Sequence, residues 1–430
     1  MIATLSCHGF IAEEGRFRVV KSSRKYVYEM PGKEDNAEPR RIIMEILPTI
    51  AQAVSGVQAQ EHNPAHNMGR RQFGRLALTG AAAGAAFLSR AGAACAGVDS
   101  GAPGIKLSVQ VPADPSDEDL QFVAQLGVGY VNIPSGGESA TLENYLRLRR
   151  KIEAAGLRIW NIGNSNVHNM EEVTLNLPGR DQKIEEYKAY LRNLGKAGVH
   201  YTTYAHMGNG IWSTERESTR GGAPTRAFDL SKADQGVWAG KTFKGPLTHG
   251  RAYSQKEIWD NYAYFIKAVI PVAQQEGIRI GIHPDDPPVP ELGGVPRCIF
   301  SNFDGYKRAL EIADSPNVGI CLCVGCWLEG GALMGKGVLE TIRYFGGQGR
   351  IFKVHFRNVN TPLPHFAETF LDDGYMDMYK VMKALREVNF DGAVIADHVP
   401  GMVGGPRAAT AFSIGYMKAL VERANSEARS

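Results

Sequence analysis

The sequence predicts a (β/α)₈ barrel over residues 97–430, and three observations support this prediction. The 430 residues are 43% apolar and 22% charged, which is typical of a globular protein. From Lys106 onward, a short β-branched run, a loop, an amphipathic helix and a glycine recur as one unit. Eight such units fit a closed barrel, whose usual size is ~250 residues before insertions.

Eight short apolar runs are the predicted strands: 107–111, 130–133, 158–162, 201–205, 279–282, 318–322, 351–354 and 392–395. Between them lie predicted helices, of which the first begins at the capping residues Ser116 and Asp119. Strands that alternate with helices imply parallel βαβ units. An open doubly wound sheet is disfavoured because no Gly-x-Gly-x-x-Gly turn follows the first strand. Residues 206–251 are Gly-rich and polar, and they are predicted to be a loop over the active face.

Residues 68–96 contain the three parts of a secretory signal in order. Arg70 and Arg71 precede an apolar stretch at 76–88, and residues 94–96 (Ala-Cys-Ala) fit a cleavage site. The arginine pair resembles the twin-arginine export signal, so we expect a periplasmic or secreted product. The alternative is a buried alanine-rich helix.

Residues 1–67 are rich in charge and show no strand or helix rhythm. Because Met68 stands directly before the arginine pair, we expect residues 1–67 to be a mis-called or disordered extension. The barrel prediction therefore excludes residues 1–96.

Charge and composition exclude several classes of partner. A net charge of +3 gives no reason to expect a nucleic-acid partner. No apolar run reaches the roughly 18–20 residues of a membrane span. Six cysteines are too few and too clustered for a disulfide-stapled fold. The sequence is compatible with a homo-oligomer.

Four residues of metal-ligand type follow four successive predicted strands: His283, Cys323, His355 and Asp397. Each is separated from the next by about one βα repeat, so the barrel should bring all four to one rim. Each alone has a simpler explanation, but together they predict a site for Mn²⁺, Fe²⁺, Co²⁺ or Zn²⁺. The alternative is a separate zinc or Fe–S site formed by Cys321, Cys323 and Cys326, which lacks a fourth thiolate at a matching spacing.

At these residues the sequence resembles the mannonate dehydratase family. The matching stretches are 283–288 (His-Pro-Asp-Asp-Pro-Pro), 323–325 (Cys-Val-Gly), 355–359 (His-Phe-Arg-Asn-Val), Glu368, 371–374, 377–383, Asp397-His398 and 415–420. The resemblance implies a metal-dependent barrel that uses Mn²⁺ or Fe²⁺ and converts D-mannonate to 2-keto-3-deoxygluconate by losing water. It covers the second half of the chain well and the first half only by general pattern.

Two positions depart from the family pattern. Residues 395–399 read Ile-Ala-Asp-His-Val where the family usually has Arg-Pro-Asp-His-Gly, and Phe412 stands where the family has a tyrosine. The sequence therefore lacks two polar groups of the family pattern, and the substrate's stereochemistry stays open.

Dehydration of a sugar acid needs a metal for the developing charge, a base for the C2 proton and an acid for the C3 hydroxyl. His398 is the first candidate for proton transfer, with Asp285 and His206 as further candidates. Arg357 and Asn358 are the candidates for substrate binding, because a guanidinium can grip a carboxylate with two hydrogen bonds.

Three classes of function follow, all with a small sugar acid as partner. We favour a metal-dependent hydro-lyase. A metal-dependent isomerase or epimerase on the same type of barrel is the second class, since one enediolate intermediate serves both outcomes. An exported, non-catalytic protein that binds sugar acids is the third, and fold alone does not choose among them.

Overall fold

The computed structural model describes residues 10–13, 16–21, 24–29 and 103–428. Strands Phe10–Glu13, Arg16–Lys21 and Arg24–Glu29 form an antiparallel sheet in a unit separate from the barrel. No strand was predicted from the sequence in this region. The predicted signal at 68–96 lies outside the described residues.

Eight parallel strands form the barrel, and every predicted strand is present with its ends shifted by no more than two residues. They are β1 (Lys106–Gln110), β2 (Tyr130–Ser135), β3 (Arg158–Asn164), β4 (Tyr201–Tyr204), β5 (Arg279–Ile282), β6 (Val318–Cys323), β7 (Ile351–Phe356) and β8 (Ala393–Ala396). The sheet order is β3-β2-β1-β8-β7-β6-β5-β4. Neighbours in the barrel are therefore neighbours in the chain, and β8 pairs with β1.

The barrel closes between β3 and β4 by contacts just beyond the strands and by a side chain. Ala205 donates its backbone N–H to the carbonyl of His168 at 2.8 Å, as part of a parallel bridge between Asn169 and Ala205. The hydroxyl of Tyr190 contacts the carbonyl of Ile162 in β3 and the Thr202 hydroxyl in β4. These contacts give hydrogen-bond partners to backbone groups that a longer strand pairing would otherwise satisfy.

Helices cover the barrel from outside: α1 (Asp117–Gln125), α2 (Leu142–Ala154), α3 (Arg180–Lys196), α4 (Gln255–Gln275), α5 (Phe303–Ala313), α6 (Val338–Thr341), α7 (Met378–Glu387) and α8 (Gly405–Glu427). Ser116 begins α1 with the expected capping box to Asp119. Ser254 and Glu257 make the same motif at α4. Among the described residues, no helix combines the length and apolar character that a membrane crossing needs.

The segment between β4 and α4 is not a simple loop. It forms short strands, each of two to four residues: Ile211–Trp212, Glu217–Thr219, Ala223–Thr225, Ala227–Asp229, Gln235–Trp238 and Lys241–Lys244. Strands this short leave no recognisable period in the sequence. The hairpin turn at Ala239-Gly240 has positive φ at both residues, as a tight two-residue turn requires.

Candidate metal centre

The structure brings the four predicted ligands together at the C-terminal rim of the barrel. His283 follows β5, Cys323 ends β6, His355 lies in β7 and Asp397 follows β8. One donor atom from each lies within 4.8 Å of the donor atoms of the other three. The His355 and Asp397 side chains are 14% and 18% exposed, so the rim is open to solvent on their side.

The two imidazoles leave nitrogen atoms for an ion. Nδ1 of His283 lies 2.7 Å from the carbonyl of Pro284, so Nδ1 carries the proton and Nε2 has a free lone pair. Nδ1 of His355 is buried and has no hydrogen-bond partner, and Asp397 Oδ1 lies 3.3 Å away. A buried imidazole nitrogen without a partner fits a metal ligand, because buried polar atoms are otherwise paired.

The Cys323 sulfur is surrounded by groups that favour the thiolate. Its Sγ accepts the backbone N–H of Cys326 at 3.4 Å and Nη2 of Arg357 at 3.3 Å. Burial alone would raise the pKa of Cys323, but the hydrogen bond from Cys326 and the charge of Arg357 hold it well below its usual value. The thiolate is the form that binds a metal.

Two buried arginines neutralise a second group of acidic donors beneath the centre. Asp286, Cys326 and Glu329 have donor atoms within 4.8 Å of one another. Arg357 Nη2 lies 3.0 Å from Glu329 Oε1 and 3.5 Å from Asp286 Oδ2, and Arg226 Nη2 lies 2.6 Å from Asp286 Oδ1. Because guanidinium groups already supply the cations, this group is an ion-pair network and not a second metal site.

Arg357 and Asn358, the predicted substrate-binding residues, are enclosed by protein groups, and their substrate contacts stay a prediction. Both side chains are fully buried. Arg357 is held by Glu329, Glu368 and the cysteine sulfurs. The Asn358 amide donates to the Leu371 and Met376 carbonyls and accepts the Val359 backbone N–H. These surroundings favour structural roles, since the hydrogen-bonding groups of both residues face protein partners.

His398 is the predicted proton-transfer residue whose position best suits that role. Its side chain is 39% exposed beside the ligand Asp397, and Nδ1 donates to Glu368 Oε1 at 2.7 Å. Partial burial alone would lower the pKa of His398, but the carboxylates of Asp397 and Glu368 raise it to about 9. Nε2 makes no hydrogen bond to the described residues, so it can exchange a proton with a bound molecule.

Asp285 and His206, the other two candidates, are both buried. Burial raises the pKa of the Asp285 carboxyl to about 6, against the opposing charges of Arg297 and His283. His206 shares a hydrogen bond of 2.7 Å with the Tyr204 hydroxyl, and burial lowers its pKa to about 3. Its position fits a neutral core histidine better than a proton carrier, whereas the role of Asp285 stays a prediction.

Two ionisable residues near the centre, His168 and Lys353, were not predicted from the sequence. His168 stacks on Trp238 with ring centroids 5.1 Å apart, and burial together with the charges of His283 and Lys353 lowers its pKa to about 3. Lys353 is 4% exposed inside the barrel, and burial lowers its pKa. A lysine within the apolar run of β7 was a visible signal, whereas His168 lies beyond the end of β3.

The three clustered cysteines do not form a site of their own among the described residues. Cys323 belongs to the metal-type centre, Cys326 belongs to the ion-pair network, and Cys321 is buried in β6 outside both groups. This arrangement excludes the separate three-cysteine site at these positions.

The fold and these donors define a (β/α)₈ barrel enzyme with a metal-type centre at the C-terminal rim, where such barrels carry their chemistry. The chain belongs to the D-mannonate dehydratase (UxuA) family, whose model matches residues 118–426. Membership in this family makes the chain a hydro-lyase.

Relatives and solved structures agree with this assignment. The mannonate dehydratase of Thermotoga neapolitana is 32% identical over 312 residues, which cover 66% of this chain and 84% of the relative. Mannonate dehydratase 2 of Halalkalibacterium halodurans is 33% identical over 298 residues, covering 65% and 84%.

Among solved structures, the mannonate dehydratase of Streptococcus suis serotype 2 superposes with a TM-score of 0.67 at 27% identity, covering 76% of this chain and 96% of the other. A xylose isomerase domain protein from Planctomyces limnophilus has a TM-score of 0.51 at 13% identity, covering 75% and 99%, and shows the shared fold alone.

At both departures from the family pattern the side chain is apolar. Ile395 is 5% exposed in β8, two residues before Asp397. Phe412 packs edge-on against Phe370, with ring centroids 5.7 Å apart, and the guanidinium of Arg220 lies 4.9 Å from the Phe370 ring. Neither position offers a hydrogen-bonding side chain.

Proposed function

We propose that this protein dehydrates D-mannonate, or an aldonate closely related to it, to the 2-keto-3-deoxy acid. The observation that carries the proposal is the convergence of two histidines, a cysteine and an aspartate beside His398. The family assignment supports water loss over isomerisation, because the isomerase-like neighbour shares only the fold.

We further propose Mn²⁺ or Fe²⁺ as the metal, held by His283, Cys323, His355 and Asp397. When bound, the ion supplies a Lewis acid for the substrate carboxylate and its C2 oxygen. The chain's own residues shape this site. The Pro284 carbonyl fixes the tautomer of His283, and Arg357 stabilises the Cys323 thiolate.

His398 is the residue that we assign to proton transfer at the substrate. Glu368 accepts the Nδ1 proton and thereby orients the ring, which leaves Nε2 to give or take a proton at the C2 or C3 side of the sugar acid. Asp285 is the further candidate for the second proton. Because Arg357 and Asn358 are buried among protein partners, we expect other groups on the rim to contribute to binding of the substrate carboxylate.

A panel of aldonic acids with Mn²⁺-loaded protein tests the proposal. Release of a 2-keto-3-deoxy acid from D-mannonate or a stereoisomer supports it. Formation of an isomer without water loss would establish an epimerase instead, and saturable binding without turnover would establish a binding protein. Either of those results overturns the dehydratase proposal.

We also propose export by the twin-arginine route, on the basis of Arg70, Arg71 and the apolar stretch at 76–88. This route carries folded proteins. A thiolate and imidazole site prefers Cu²⁺ or Zn²⁺ over Mn²⁺ or Fe²⁺ by affinity, so loading before export would secure the intended ion.

A further inference from the structure

Cys323 and Cys326 form a Cys-x-x-Cys pair at the point where β6 meets a short helix. Cys323 is the last strand residue and caps helix Val324–Gly330. The backbone N–H of Cys326 donates to Cys323 Sγ at 3.4 Å. Both side chains are free thiols and fully buried. Cysteines at this spacing, with one backbone N–H on the neighbouring sulfur, are placed to join in a disulfide.

The guanidinium of Arg357 contacts both sulfurs. Arg357 Nη2 lies 3.3 Å from Cys323 Sγ and 3.3 Å from Cys326 Sγ. Its guanidinium is fully buried, so solvent screens its charge little. Because one guanidinium nitrogen contacts both sulfurs, they lie near one another, and Cys326 is placed to attack Cys323 once that sulfur is oxidised.

We propose that hydrogen peroxide joins Cys323 and Cys326 in a disulfide when the centre holds no metal. The disulfide then prevents metal binding, because Cys323 is no longer a thiolate. The Cys323 thiolate attacks one oxygen of hydrogen peroxide, giving a sulfenic acid and releasing water after protonation. Cys326 then attacks the Cys323 sulfur and expels a second water. In total, two thiols and one peroxide give one disulfide and two waters, and the centre loses its thiolate ligand.

The surroundings select a small oxidant. Because both sulfurs are buried, a bulky disulfide reagent has no approach, whereas a peroxide is close to water in size. The partly exposed side of the centre, at His355 and Asp397, is the route of entry. An ion held by Cys323 would withdraw electron density from the sulfur and shield it, so the loaded protein should be oxidised more slowly.

The chain offers matched controls for a test that reads thiols and metal, not dehydratase activity. Full-length protein, stripped with a chelator or loaded with Mn²⁺, is treated with hydrogen peroxide, denatured and alkylated with iodoacetamide. Mass spectrometry of the peptide that contains residues 321–326 then reports each cysteine. Cys298→Ser is the control variant, because Cys298 lies outside the pair and its sulfur only approaches the Gln255 carbonyl.

In the stripped protein we expect Cys323 and Cys326 to escape alkylation, the peptide to lose two hydrogens, and Cys321 to be alkylated. Mn²⁺ binding should disappear and return after dithiothreitol. Cys326→Ser should form no disulfide, and dimedone should instead label a sulfenic acid on Cys323. The Cys298→Ser protein should behave as the wild type does.

Alkylation of both Cys323 and Cys326 in the stripped, peroxide-treated protein would overturn the proposal. So would a disulfide that pairs Cys323 with Cys321, or equal oxidation of the stripped and Mn²⁺-loaded proteins. Since none of these readouts involves a sugar acid, their failure is distinguishable from failure of the proposed dehydratase activity.

Discussion

Glu368 Oε1 accepts a hydrogen bond from His398 Nδ1 at 2.7 Å, and this pair links the metal-type centre to the buried ion-pair network. Glu368 is 2% exposed and also pairs with Arg226 and Arg357, whereas His398 is 39% exposed at the rim. One carboxylate therefore both orients the ring of His398 and balances two buried cations.

Replacement of His398 should remove proton transfer without removing the metal. We expect His398→Gln to lower kcat by about 10²–10⁴-fold, the usual contribution of a general acid or base, with Mn²⁺ content unchanged. His365→Gln is the matched control, because His365 pairs with Glu217 at 2.6 Å on the exposed surface. Equal kcat values for the His398→Gln and wild-type proteins would remove His398 from the reaction.

Glu368→Gln should destabilise the fold as well as slow the reaction. Loss of one partner from a buried ion-pair network costs about 3–5 kcal/mol, because the remaining charges stay buried. Glu217→Gln, at the exposed His365 pair, should cost about 0–1 kcal/mol. Urea denaturation measures both free energies of unfolding, and similar values for the two variants would contradict the assigned network.

Arg357→Lys should weaken metal binding although it keeps the positive charge. A lysine lacks the planar fork that reaches both cysteine sulfurs and Glu329, so we expect Mn²⁺ affinity to fall by about 10–100-fold. Arg350→Lys is the control, since Arg350 bonds the Ser315 and Val318 carbonyls near the start of β6. Competition with a chelator gives the affinities; an equal loss in both variants would argue against a specific role for Arg357.

Export should depend on the arginine pair before the barrel. We expect replacement of Arg70 and Arg71 by lysine to leave full-length protein inside the cell, because the twin-arginine route reads both guanidinium groups. Cell fractionation with N-terminal sequencing of the product measures this. Normal export and cleavage near Ala96 in the double variant would show that the twin-arginine interpretation is wrong.

Much of the barrel could be predicted because its signals are local and repeated. Apolar strands, capping residues such as Ser116 and closing glycines recur with each βα unit, so small errors do not accumulate. The strands between β4 and α4 were missed because each has only two to four residues, and one of them, Ala227–Asp229, pairs with the distant strand His365–Thr369. Pairings of this kind leave no period in a short segment.

The ligand positions could be predicted for the same reason, since each lies at the C-terminal end of a barrel strand or directly after it. The role of Arg357 could not, because a sequence does not show that Glu329, Glu368 and two sulfurs enclose its guanidinium. Burial and partner geometry separate a substrate-binding arginine from a supporting one. The burial of Arg357 and the geometry of its partners are set only when several βα loops meet at the rim.

The most direct test of the metal-dependent dehydratase is a Mn²⁺ titration of metal-free protein in the presence of D-mannonate. Formation of the 2-keto-3-deoxy acid is followed at each step together with the bound metal. We predict no product without metal, a rate that rises in proportion to occupancy of one site per chain, and no recovery by Mn²⁺ in His355→Ala. Product formation by the metal-free protein, or full activity of His355→Ala at equal Mn²⁺, would contradict the central claim.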